Sequence, residues 1–140
     1  MAASCGVSDR VLMTGALSTE DLKIWLKAAD IFACPCRTRW GGLEVEGFGI
    51  VFAEASLASL PVLAGRSGGA PESVKSGETG IIPAGDSTEE VAEALRRLLC
   101  MSPEARTAMG ERAREFTLSR HGPEVVGRKY RDLLAGVVRA

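Results

Sequence analysis

A chain of 140 residues with 46% apolar residues can build one continuous core, so it reads as one domain or a piece of one. Lys and Arg number 17 against 18 Asp and Glu, a formal net charge of -1, which leaves no cationic surplus to follow a phosphate backbone; nucleic acid is not an expected partner. The aromatic share of 5% argues against base-stacking platforms, and 25% charged residues beside that apolar content argue against disorder.

Residues 1–9 read as a disordered leader without the basic start and apolar run of a secretory signal, which predicts a cytoplasmic chain folded over 10–140. Arg10-Val-Leu-Met-Thr14 predicts a first strand, and Ser18-Thr-Glu-Asp21 a helix cap with an acidic first turn. Leu22, Trp25, Leu26 and Ala29 then give that helix an inward stripe, and Ile31 to Pro35 predicts a second strand. A polar loop runs from Cys36 to Gly47. Gly47 to Gly65 is the most apolar stretch, but Glu54 and Pro61 argue against a transmembrane span; it predicts a buried helix over Phe48 to Ala58 and a third strand over Pro61 to Ala64.

Gly65 to Pro71 is the strongest turn signal, and Gly80 to Pro83 predicts a short fourth strand. Ser87-Thr-Glu-Glu90 matches a capping box before a helix with Val91, Leu95 and Leu98 inward. Ser102-Pro103 opens the next helix, with Ala105, Met109, Ala113 and Phe116 on its inner face. A last helix from about Pro123 should turn Val126, Tyr130, Leu133 and Val137 inward. This alternation predicts an α/β fold with a doubly wound parallel sheet, whose ligand crevice lies at the carboxyl ends of the strands, on the loops after Thr14, Pro35, Ala64 and Pro83.

Glu54 is the one charged residue between Gly47 and Gly65, and a buried carboxylate needs a partner. Two readings stand for it: a partly exposed or Arg-paired helical residue, or an acceptor for ligand hydroxyls. Glu46 lies eight positions earlier, about 12 Å along a helix, so two such acceptors could hold distant parts of one polyhydroxylated ligand. Between them, Gly47-Phe48-Gly49 offers helix-start N–H groups suited to phosphate, and Gly68-Gly69 is either a tight turn or a second place of close backbone approach. Arg37 and Arg39 read as solvated loop charges or as contacts to a phosphate or anionic head group.

Other chemistry finds no support. The dinucleotide fingerprint fails at Phe52, no Gly-x4-Gly-Lys-Ser/Thr is present, and the absence of an Asp-x-Asp pair removes the simplest metal-bound diphosphate site. His121, before Gly122-Pro123, is the lone imidazole and builds no triad. Cys5, Cys34, Cys36 and Cys100 form no zinc set with it, and Cys34 and Cys36 read as reduced, structural residues.

Glu46-Gly-Phe-Gly-Ile-Val-Phe-Ala-Glu54, followed by Pro61-Val-Leu-Ala64 and Gly68-Gly-Ala-Pro-Glu72, resembles the donor-binding half of retaining glycosyltransferases with the two-domain GT-B fold. Ala33-Cys-Pro-Cys-Arg-Thr-Arg39 with Val45-Glu-Gly47 resembles the actinobacterial mannosyltransferases acting on phosphatidylinositol or related lipids. The resemblance implies that Glu46 and the Gly47 to Gly49 backbone lie at the donor sugar and its diphosphate, with Glu46 in the catalytic position. It implies that Glu54 accepts the ribose hydroxyls, that the loop from Met13 to Leu17 runs beside the base, and that Gly68 and Gly69 border the donor pocket. The implied donor is a nucleotide sugar, GDP-mannose first, used without a metal or other cofactor, at a cytoplasmic site that can include the inner membrane face.

In that family two strand and helix units, carrying an Arg and a Lys for the diphosphate, precede the point where this chain starts, as does an acceptor domain with a catalytic histidine. The resemblance therefore implies a partial domain, truncated on its N-terminal side and inactive alone, whose partner is that acceptor domain or a second copy of itself. The absent strands would lie between Arg10–Thr14 and Ile31–Pro35, leaving strand edges and apolar helix faces exposed. The alternative expectation is an orphan interaction module without donor affinity.

Overall fold

In the computed structural model, which describes residues 2–83 and 87–138, three short parallel strands carry the fold: β1 (Phe32–Cys34), β2 (Val62–Ala64) and β3 (Gly80–Ile81), in the order β1-β2-β3. Phe32 pairs with Val62 and Cys34 with Ala64, while Val62 pairs with Gly80. Among the described residues, six helices surround them: α1 (Thr19–Ala28), α2 (Ile50–Leu57), α3 (Ala70–Ser73), α4 (Thr88–Leu99), α5 (Pro103–His121) and α6 (Pro123–Val138).

β2 is apolar throughout because helices cover both its faces, the usual condition of a central parallel strand. Its period-two alternation sorts the core. Val62 and Ala64 join Phe52, Ala55, Leu60, Ala70 and Val74 on the α2 and α3 side, whereas Leu63 joins Ala94, Leu98 and Met109 on the α4 and α5 side. α2 and α5 make the most extensive helix pair among the described residues. Gly110 of α5 lies where a side-chain carbon would strike the Ser59 carbonyl just after α2, so only glycine permits this approach.

The caps form as the sequence predicts. Ser18, Ser87 and Ser102 accept the N–H of Asp21, Glu90 and Ala105 at 3.1, 3.3 and 3.2 Å. Three expectations are corrected. Arg10 to Thr14 is not a strand: Ser8–Arg10 is a 3-10 turn, Val11 to Thr14 is exposed chain, and Met13 is 87% exposed. A strand exists only through its ladder, and among the described residues nothing pairs with this segment. The predicted inner face of α6 points outward, with Val126, Tyr130, Leu133 and Val137 all exposed, because α6 packs chiefly on α5. On α1, Leu22 and Trp25 are also exposed, and Leu26 alone of that stripe packs against the core.

Among the described residues, the outer edge of β1 pairs with no strand. Ala70 and Pro71, the end of the turn predicted over Gly65 to Pro71, instead begin α3. The loop after Pro83 falls on residues 84–86, outside the described residues.

Candidate functional site

At the carboxyl ends of β1 and β2, two loops lock together around Ser67. Its buried hydroxyl accepts the Glu46 N–H at 3.2 Å and shares a hydrogen bond with the Thr38 hydroxyl at 3.1 Å. The Gly69 N–H donates to the carbonyls of both Glu46 and Gly47 at 3.1 Å. Side-chain carbons at Gly68 or Gly69 would collide with those same carbonyls, and Gly68 has φ +49°. The two glycines thus bring their loop against the Glu46-Gly47 backbone, a closeness no other residue allows.

Glu46 is half-buried, and its Oε1 accepts the Gly49 N–H at 3.1 Å, so one of the helix-start donors expected to be free is already used. Among the described residues, no acceptor meets the N–H groups of Phe48, Ile50 and Val51. These remain the donors that α2 can offer a ligand. Phe48 is held from two sides: its carbonyl accepts the Ser73 hydroxyl at 3.1 Å, and its ring meets His121 edge-on, with centroids 5.1 Å apart at 87°.

Glu54 departs from the burial argument. It is exposed on the second turn of α2, where it lines a groove of about 280 Å³ with Thr19, Leu22, Lys23, Leu26 and Lys27 of α1. Ile50, Glu54 and Leu57 lie at i, i+4 and i+7 on the outward face, whereas Phe52, Ala55 and Ser56 face the core. The structure therefore brings Glu46, Gly47, Phe48, Gly49, Gly68 and Gly69 together, and places Glu54 apart from them in the groove. Leu17 lies two residues before the groove-lining Thr19 and is exposed.

Ser67, Thr38, Ser73 and His121 are the supporting residues that the sequence reading missed. A serine inside a glycine-rich turn and a lone histidine carry no pattern of their own. Burial pushes the Cys34 thiol up, with the nearby Glu46 charge adding to it, and burial raises Cys36 as well. All four cysteines are free thiols. Arg39 pairs with Glu44 at 3.5 Å and lies over the Trp40 ring, while Arg37 is exposed.

The glycine-rich turn after β2 thus meets the segment leading into α2 after β1, both at the carboxyl ends of parallel strands, where open α/β sheets place their ligand crevices. The family pattern of glycosyl transferases group 1 matches residues 1–116. The chain belongs to that family. Among curated proteins, this group 1 glycosyltransferase chain is 45% identical over 136 residues to a GDP-mannose-dependent alpha-(1-6)-phosphatidylinositol monomannoside mannosyltransferase of Mycobacterium tuberculosis, covering 97% of this chain and 35% of that protein. It is 43% identical over 128 residues to a GDP-mannose-dependent monoacylated alpha-(1-6)-phosphatidylinositol monomannoside mannosyltransferase of Corynebacterium glutamicum, covering 91% of this chain and 33% of that one. The chain spans about a third of the length of these relatives.

Among solved structures, sucrose-phosphate synthase from Thermosynechococcus elongatus matches with a TM-score of 0.79 and 27% identity, over 96% of this chain and 33% of that one. HepE of Anabaena in complex with UDP matches with a TM-score of 0.81 and 23% identity, over 96% and 35%. The α/β fold with a parallel sheet, and its likeness to part of a GT-B glycosyltransferase, stand as the sequence predicts.

Proposed function

We propose that the chain forms the donor-binding part of a retaining hexosyltransferase that moves a sugar, mannose first, from a nucleoside diphosphate sugar such as GDP-mannose to a lipid or glycan acceptor. The observation that carries this reading is 45% identity along 97% of the chain with a protein named for GDP-mannose dependence. In this reading Glu46 meets the donor sugar at the reacting end, and the Gly47-Phe48-Gly49 backbone meets the diphosphate beside Gly68 and Gly69. The unpaired Phe48, Ile50 and Val51 N–H groups suit that task. Glu54, which lines its groove and has no side-chain hydrogen bond or ion pair among the described residues, accepts the ribose hydroxyls, and Leu17 borders the base.

Transfer proceeds without a metal, in keeping with the missing Asp-x-Asp pair. The acceptor is held by a further domain or by a second copy, and the chain alone does not turn over. In this reading the protein sits peripherally at the inner membrane face, a position supported by the phosphatidylinositol derivatives in the relatives' names. Among the described residues, no helix is long and apolar enough to cross a membrane. Thermal melting tests the reading: a ligand at 100 times its Kd adds about 2.7 kcal/mol, so millimolar GDP-mannose should raise the midpoint by several degrees while mannose alone should not. An unchanged midpoint speaks against donor binding.

The open edge of β1 and the exposed apolar faces of α1 and α6 favour a second reading, an interaction module without donor affinity. Sedimentation together with donor titration separates the two: a monomer at all concentrations speaks against a self-associating module, and saturable donor binding rules out a module without donor affinity.

A further inference from the structure

We propose that His121 is a positioning residue for the donor-facing segment from Glu46 to Gly49, an inference that rests on the reading of that segment as the donor site. The His121 ring reaches from the last position of α5 to the edge of Phe48, at 5.1 Å and 87°, the T-shaped geometry that aromatic rings prefer. Its Nε2 is buried and, among the described residues, has no hydrogen-bond partner. A buried nitrogen without a partner is a burden on folding, so a polar task inside this chain does not account for the residue. What the imidazole supplies is its ring.

The other tethers on the segment come from the neighbouring loop and α3: Gly69 N–H to the Glu46 and Gly47 carbonyls, and the Ser73 hydroxyl to the Phe48 carbonyl. His121 adds a tether from a third element, the last position of α5. With the Phe48 side chain fixed, the Phe48 N–H and its two glycine neighbours have one direction in which to present their donors. With it loose, two glycines flank a residue free to turn.

The test uses the full 140-residue chain in two measurements, amide hydrogen exchange and GDP-mannose binding. His121→Ala should speed exchange of the hydrogen-bonded Glu46 and Gly49 amides by about threefold to tenfold, the factor an edge-to-face pair is worth, and weaken GDP-mannose by a similar factor. Exchange in β2 should not change, and His121→Phe, which keeps a ring without the unpaired nitrogen, should restore both readings to within about twofold of the parent. Unchanged exchange at Glu46 and Gly49 in His121→Ala, equal loosening of β2, or failure of His121→Phe to restore these amides each overturns the proposal. A parent chain that takes up no GDP-mannose defeats the donor reading instead, and the exchange measurement then still decides the role of His121.

Discussion

Glu54 owes its availability to the way α2 sits on the core. The run from Ile50 to Leu57 is apolar nearly all round, so no periodicity in it marks the buried side. Packing selects Phe52, Ala55 and Ser56, and turns Glu54 outward into the α1 groove. The residue was legible as a candidate because it is charged in an uncharged stretch, and its exposure was one of the readings open for it, but the stretch alone did not say which way it faces. As an exposed group, Glu54→Gln should leave the melting temperature nearly unchanged and weaken GDP and GDP-mannose alike, by about 1.5–3 kcal/mol for hydrogen bonds to a charged group. Glu46→Gln should act mainly on GDP-mannose. Calorimetry with both ligands checks this, and equal losses in the two variants would refute the division of roles.

Cys34 and Cys36 give a residue-scale prediction in pH. Burial raises both thiols, so above the ordinary thiol range the unfolded chain ionises first. Their contribution to stability is whole below that range and falls as pH rises through it toward the raised folded values. In the folded protein the thiolate fraction is correspondingly small, and iodoacetamide near pH 8 should label exposed Cys5 and Cys100 before Cys34 and Cys36. Mass spectrometry of the labelled peptides decides, and faster labelling at Cys34 or Cys36 would contradict the assignment.

At the scale of elements, the helix starts were the most legible features, because a cap is a local bond between a serine and an N–H three residues on. The segment from Arg10 to Thr14 was misread for the complementary reason: its β-rich composition is local, whereas a strand requires a partner that no described residue supplies. The contact of the two loops was only half legible. Gly68-Gly69 announces a turn, but not that the turn meets the backbone of Glu46 and Gly47. Gly68→Ala should therefore cost about 2 kcal/mol or more through left-handed strain and collision. Gly110→Ala should cost about 1–3 kcal/mol by parting α5 from α2. Chemical denaturation measures both, and the first variant should also lose donor affinity while the second should keep it.

For the molecule as a whole, the central sheet and its site-bearing loops are in place, while α1, α6 and the outer edge of β1 leave apolar or hydrogen-bonding surface uncovered. Composition announced enough apolar residues for a core, but not how they divide. Val126, Tyr130, Leu133 and Val137 repeat at helical spacing as core residues do, and spacing alone does not say whether the covering surface belongs to the same chain. The chain aligns with about a third of each relative, and within that third it carries both loops of the candidate donor site. The most direct test is calorimetric titration of GDP-mannose into the 140-residue chain, with and without a chelator. The account predicts saturable binding that the chelator leaves unchanged and Glu54→Gln weakens. No heat at millimolar donor, or heat that vanishes with the chelator, would contradict it.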